Sequence, residues 1–425
     1  MSHVVLLESS RAGIQVLEIA LRKRVRVTLI TSGKFDWLYP GAERQRLHAL
    51  AAEVVHVDDS QDAAQVEAAL RACHLRHPVD AVFSTLQMCV YPAAEAAHAA
   101  GLCGTDLDGI RNARDKARCR ELLAAHGVAS VRHALVGDVD RALAALRDIG
   151  YPAIIKPTTG VAKLLTTIVH CPEDVVAHFA QAGVERAGLV DGLTYDVGLE
   201  FIIEQLAVGP LFSIEVGIGK HDEWMPLAIV RRKTARSNAI IELGSTMPSG
   251  LGDDEYERAA AYAHQVAVAL GLGIGMFHVE FIYTRNGPLL VEVNPRIAGG
   301  TIPDLIRTAT DVNLFEVLLD IHLGKRIGLR RLAAHTACSQ TYLCSASDCT
   351  VREDLPSDWF EQFRGRIVAG RSDIAPGKQL KAHRNNFGAY GIFSVTAPSY
   401  ETAREEARRV HGDIMCALEL ELLEE

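Results

Sequence analysis

Residues 275–300, GMFHVEFIYTRNGPLLVEVNPRIAGG, constrain the fold more than any other stretch of the chain. Two apolar runs flank Arg285, Asn286 and Gly287, and a three-residue loop with glycine at its left-handed position commonly closes a β-hairpin. Counting outward from Asn286 pairs Glu280 with Glu292 and His278 with Asn294. Side chains alternate along a strand, so these four share one face and leave Phe281, Val291 and Val293 on the other. Two carboxylates about 5 Å apart across a ladder repel by on the order of 3 kcal/mol at an effective dielectric of about 20, so something must offset them. A divalent cation would do so, and the oxygen donors of Glu280, Glu292 and Asn294 favour Mg²⁺ over zinc. The plain alternative is a solvated hairpin face, but acids rarely interrupt such apolar strands without reason. His278 is either a satisfied core histidine or a participant.

Upstream, apolar runs at 4–7, 25–30, 53–57 and 80–86 alternate with helical patterns, the rhythm of a parallel sheet flanked by helices. The turn after the first run, ESSRAG, lacks the GxGxxG spacing of a dinucleotide site. Residues 107–127 have helical spacing and a glycine stop, which suits a connector. From 129 to about 204 come a strand, a helix at 140–149, the strand YPAIIKP and a helix opening at Pro172: a small α+β unit of lid size. Residues 201–294 read as mostly antiparallel strands with one long helix at 253–270, and the remainder as a further α/β block closed by an amphipathic helix from Tyr400 to about Leu420. A chain of 425 residues exceeds one ordinary core. The expected units are 1–106, 107–322 with a lid at about 129–203, and 323–425.

A net charge of −9 argues against a nucleic-acid partner, although a locally basic cleft could still attract a small anion. The nine cysteines form no CxxC pair and read as reduced thiols. The opening MSHVVLLESSRAG has no basic leader and no later apolar stretch reaches membrane-spanning length, so no membrane partner and a cytoplasmic location are expected.

Lys156 ends the run YPAII before Pro157, fixed where a phosphate could lie. Lys116, among Arg114, Arg118 and Arg120, reads by itself more readily as surface charge. Four stretches, RDKARCRELLAAHGV, YPAIIKPTTG, FIIEQLAVGPLFSIEV and the hairpin ending LLVEVNPRIAGG, stand in the order and spacing of the ATP-grasp superfamily. The chain resembles that superfamily from its first strand through at least Leu314, and is most similar to the L-amino-acid ligase, dipeptide-forming, branch. The resemblance implies a mixed α/β and α+β ATP-grasp fold with an N-terminal Rossmann-like (pre-ATP-grasp) domain, a mobile lid and a C-terminal domain. It implies that Lys116 and Lys156 contact ATP phosphates, that Glu204 accepts from the adenine amino group, and that the backbone of Gln205 and Ala207 completes adenine recognition. Glu280, Glu292 and Asn294 would hold Mg²⁺, with Mn²⁺ as a substitute, and Arg296 would stabilise the transferring phosphoryl group. The implied activity is ATP-dependent joining of a small carboxylate to an amine through an acyl phosphate, releasing ADP and phosphate. A homodimer is compatible with this.

Two departures qualify the resemblance. The phosphate-covering loop, TTGVAKLLTT, has Gly160 as its one glycine, and Lys163 supplies charge in place of backbone N–H groups. Leu211 stands where relatives often carry a ribose-binding glutamate, and Glu215, on the same strand face, is either its partial replacement or structural. Arg231, Lys233 and Glu242, with His278, are expected on the substrate side; a charged sheet edge is the other reading. The same ATP machinery also serves carboxylases and carboxylate–thiol ligases, and a weakened phosphate loop would suit a regulatory ATP-binding protein.

Overall fold

The computed structural model describes residues 1–39, 41–190, 193 and 197–425. The N-terminal apolar runs become β1 (His3–Leu7), β2 (Arg26–Thr31), β3 (Glu53–His56) and β4 (Ala81–Phe83), paired in parallel in the order β3-β2-β1-β4. Successive residues of β1 feed different cores. Val4 and Leu6 pack toward the helix Arg11–Arg22, while Val5 and Leu7 pack toward the helices Ala63–Arg76 and Val90–Ala99. A strand covered on both faces has no room for alternating polar residues, which explains the unbroken VVLL.

The expected connector is two helices, Leu107–Arg114 and Lys116–Ala125. Asp115 separates them, and its carboxylate accepts from the amides of Ala117 and Arg118, an N-cap that starts the second helix. Lys116 is therefore the first residue of that helix, with Arg120 one turn later on the same side.

The lid unit is an antiparallel sheet of β5 (His133–Val136), β6 (Ala153–Pro157), β7 (Thr167–Val169) and β8 (Phe201–Gln205), ordered β5-β8-β6-β7. The helices Val139–Ile149 and Pro172–Ala187 bury Leu146, Ile149 and Val175 against Ile155, Phe201 and Ile203 of that sheet.

The central sheet contains β9 (Leu211–Ile218), β10 (Trp224–Ala235), β11 (Asn238–Met247), β12 (Gly275–Thr284) and β13 (Gly287–Asn294). The last part of the chain joins it rather than forming the separate block expected. β14 (Ala337–Tyr342) pairs with β11, and of the strands after it, β15 (Cys349–Thr350), β16 (Ala369–Ser372), β17 (Gln379–Leu380) and β18 (Gly391–Ala397), both β16 and β18 continue the sheet. The full order is β13-β12-β9-β10-β11-β14-β18-β16, with β15 and β17 as a separate ribbon. Unpaired, β11 would be an exposed edge of free N–H and C=O groups, and β14 satisfies it. The helix Asp253–Leu270 covers one face, packing Val266 and Leu270 with Phe212, Phe277 and Phe281. The helices Ile302–Thr310 and Leu314–His322 share a core with β1 and β2, joining the N-terminal unit to the central sheet. Among the described residues no helix is long and apolar enough to cross a membrane.

One C-terminal loop reaches back to three parts of the chain. The Asn386 amide donates to the Ala162 carbonyl at 3.2 Å. Its side-chain oxygen accepts from the Glu242 amide at 3.0 Å, and Phe387 meets Trp37 edge to face.

Candidate active site

The β12–β13 hairpin pairs His278 with Asn294 and Glu280 with Glu292, but by a different route from simple symmetry. Its tip is a two-residue turn, since Thr284 pairs with Gly287, and the register shifts so that Phe281 faces Leu290. Val291 is the extra residue of a β-bulge, and the two deviations cancel at the carboxylates. Leu290 takes the core position beside Phe281 expected of Val291. The Val291 carbonyl is instead turned to two cations, accepting from Arg120 Nη2 at 3.0 Å and Lys156 Nζ at 3.3 Å.

Between the lid sheet and the central sheet lies a cavity of about 610 Å³. Pockets for drug-sized ligands and cofactors run to about 300–1,000 Å³. Ile154 and Ile168 line it from the lid, Leu211, Ile282 and Leu290 from the central sheet, and Gln205 to Pro210 form the wall linking the two. Lys116, Lys156, Lys163 and Glu292 also line the cavity.

Glu204 is buried with both carboxylate oxygens engaged, by Lys156 Nζ at 2.8 Å and by Arg120 Nε at 2.9 Å. Burial opposes its ionisation, but Arg120 and Lys156 outweigh that and hold its pKa down at about 2. Lys156 fares differently. Burial pulls it down to about 8 despite Glu204, because it shares that one carboxylate with Arg120. Glu204 also lines the cavity, with each of its oxygens on a protein cation. Arg120 escaped the sequence reading because it sits in a run of arginines resembling a solvated face; its spacing of one helical turn from Lys116 was the available signal.

Glu280 and Glu292 converge on the Lys163 ammonium, at 2.7 and 3.4 Å. Lys116 lies 3.6 Å from the other Glu292 oxygen. Burial again works against charge, but Lys163 and Lys116 hold the Glu292 pKa at about 2. Behind them Arg232 pairs with Glu242 and lies 3.8 Å from Glu280. His278 is placed between Glu215 and Glu280, and although burial disfavours its charged form, Glu215 and Glu280 raise its pKa. The loop at 158–167 makes its left-handed turns at residues other than its one glycine, Gly160. Ala162, Lys163 and Leu165 all have positive φ, at 54°, 60° and 51°. Such a conformation costs about 1–2 kcal/mol for each residue with a Cβ, and Lys163 is held in it by its ion pairs to Glu280 and Glu292.

Other expected residues lie elsewhere. Glu215 does not line the cavity: one of its oxygens is bonded to His278 and the other accepts from the Ala298 amide at 3.2 Å, so it cannot stand in for a ribose-binding group. Lys233 points away from the cleft to Thr341 Oγ1 at 2.9 Å, and burial lowers its pKa to about 7. Arg231 lines the large cavity, stacked over Phe212 at 5.0 Å. Within this charged segment it is Arg232 that reaches the glutamates, and β10 and β11 are interior strands, so the edge reading fails. Arg296 donates to the Ile297 carbonyl at 2.8 Å; burial lowers its pKa against the pull of Glu215, Glu292 and Glu280.

A magnesium ion fits this donor set. The two opposed carboxylates already close on an internal cation, Lys163, and Asn294 Nδ2 donates to Glu292 at 3.3 Å. Among the described residues no group of three or more His, Cys, Asp or Glu is arranged for a metal, so the candidate ligands are two carboxylates and one amide.

A family model described as an ATP-grasp domain matches residues 149–304. The chain carries an ATP-grasp domain. The matched part of this domain runs from β6 through the carboxylate hairpin into the helix Ile302–Thr310. The uncharacterized protein y4rH of Sinorhizobium fredii is 24% identical over 422 residues, covering 94% of this chain and 80% of that one. The alanine–anticapsin ligase of Bacillus amyloliquefaciens is 28% identical over 258 residues, 57% of this chain; the match spans about half, 54%, of that ligase's length. The solved structure of an L-amino acid ligase from Bacillus licheniformis aligns with a TM-score of 0.76 at 17% identity, over 97% of both chains. The whole chain thus has the ATP-grasp fold expected from its motifs.

Proposed function

We infer that this ATP-grasp protein is an ADP-forming ligase that activates a small carboxylate as an acyl phosphate and joins it to an amine, with amino acids or related acids as substrates. The observation that carries the reading is the pair Glu280 and Glu292, closed on Lys163 and flanked by Lys116 and Lys156 at the wall of a nucleotide-sized cavity. The names of the alanine–anticapsin and L-amino acid ligases support amino acids as the substrate class.

Adenine is read against Ile154, Leu211, Ile282 and Leu290, and its amino group is left to main-chain acceptors of residues 205–207, because Glu204 is already paired. Lys116 and Lys156 bring fixed positive charge to the phosphate tail. Lys156 is held by Glu204 and the Val291 carbonyl, so little freedom is lost when it binds an anion. Mg²⁺, or Mn²⁺ with the same oxygen donors, would be held by Glu280, Glu292 and Asn294 and would supply charge neutralisation at the phosphate oxygens. Arg296 supplies a cation where negative charge develops on the transferring group. A carboxylate oxygen attacks the terminal phosphorus and ADP leaves; the amine then displaces phosphate from the acyl carbon. Positioning and electrostatics account for the chain's part in this chemistry. Closure of the lid over the cavity keeps water from the mixed anhydride.

The test is product analysis with carboxylate substrates labelled with heavy oxygen. ADP and phosphate are expected only when a carboxylate is present, with one label transferred to the phosphate. AMP as product, or unlabelled phosphate, would refute the acyl-phosphate reading.

A further inference from the structure

A second cavity, of about 20 Å³, lies outside the nucleotide site where β4 and the helix Val90–Ala99 meet β12, with the helix Leu314–His322 beside them. A space of this kind needs roughly 10–15 Å³ to hold one water, so it accepts a group of about that size. Phe83, Ala94, Met276 and Leu318 give it apolar walls. Ser84, just past the carboxyl end of β4, places it where parallel sheets present ligand sites.

Two side chains give this small space chemistry. Arg296 lines it, and this guanidinium stands next but one after Asn294, within the field of Glu280 and Glu292. A carboxylate held there would therefore sit at the phosphoryl-transfer end of the large cavity. His322 also lines the small cavity, is 6% exposed, and stacks on Phe83 with centroids 4.7 Å apart. Its Nδ1 has no hydrogen-bond partner among the described residues. Burial lowers its pKa to about 4, so the ring is neutral near pH 7 and open to a neutral hydrogen bond. A buried polar atom without a partner costs free energy that a matching ligand group recovers.

We propose that this cavity receives the side chain of the carboxylate substrate, that Arg296 holds the carboxylate, and that His322 selects a hydroxymethyl side chain, making the acyl donor a serine-like amino acid. The proposal rests on the ligase reading above. A methyl group fits the space but leaves Nδ1 unpaired, and branched or longer side chains do not fit.

The experiment measures ADP release, at saturating ATP with one common amine, for glycine, alanine, serine, valine and leucine as carboxylate substrates. Serine is expected to exceed alanine in kcat/KM, with valine and leucine at least about tenfold below alanine, the discrimination typical of one surplus carbon. His322→Phe keeps the stacked ring and removes the polar nitrogen. It should abolish the preference for serine over alanine while calorimetric ADP affinity stays unchanged. Ala94→Val narrows the cavity and should raise KM for serine without changing ADP affinity. Equal rates with alanine and serine, faster turnover of valine or leucine, or an unchanged serine-to-alanine ratio in His322→Phe would each overturn the proposal. ADP release that ignores every carboxylate would instead defeat the ligase reading itself, so the two failures are distinguishable.

Discussion

Glu204 serves two cations with one carboxylate, and that arithmetic sets the pH behaviour of the site. Its pKa lies at about 2 in the folded chain against 4.5 ordinarily, so its contribution to stability is present above 4.5 and is lost as pH falls through 2. The shift corresponds to about 3 kcal/mol at most. Lys156 acts in another window and with the opposite sign: with its pKa lowered from 10.5 to about 8, it costs stability below 8 and that cost is relieved as pH rises to 10.5. Denaturant unfolding between pH 5 and 2.5 should show a steep loss for the parent chain and a flatter profile for Glu204→Gln, which starts less stable because Arg120 and Lys156 lose their shared partner. Equal slopes would remove Glu204 as the source. Sequence reasoning found Glu204 and Lys156 but not their pairing, because β7 and the helix Pro172–Ala187 lie between β6 and β8, and register between strands so far apart leaves no local trace.

At the level of the element, the hairpin was the most legible part of the chain. Alternation and a glycine turn pair Glu280 with Glu292 only because the Val291 bulge offsets the shorter turn, and that bulge left no signature, since valine suits a regular strand equally well. The phosphate loop was less legible. Its shortage of glycine suggests a weakened device, yet Ala162, Lys163 and Leu165 adopt the left-handed conformation all the same, and Lys163 neutralises Glu280 and Glu292 from within the chain. If Glu280 and Glu292 hold the metal as proposed, Lys163 and a divalent ion compete for one place. Without nucleotide, Lys163→Met should bind Mn²⁺ several-fold more tightly than the parent, read from the free-ion electron spin resonance signal, and hydrogen exchange at 161–166 should quicken as the loop loses its anchor. Glu292→Gln should weaken Mn²⁺ binding instead. Unchanged Mn²⁺ affinity in both variants would take the metal site away from this hairpin.

Across the whole molecule, sheet continuity overrides the boundaries that length and pattern suggest. A break after residue 322 separates β11 from β14 and removes the Asn386 side chain that accepts from the Glu242 amide. A chain of residues 1–322 should fail to give the cooperative thermal transition of the full protein, monitored by near-ultraviolet circular dichroism; an independent sharp transition would show that the two parts fold separately. Pairing of this kind is invisible in local patterns because both partners read as ordinary strands. The loop at 385–387 carries the same lesson into genetics. It touches Ala162, Glu242 and Trp37, which belong to three distant stretches of sequence, so a lesion there would mimic damage to any of them. Suppressors of an Asn386 defect would accordingly map far from it, and a screen that located function by the position of its mutations would assign this loop to the wrong part of the protein.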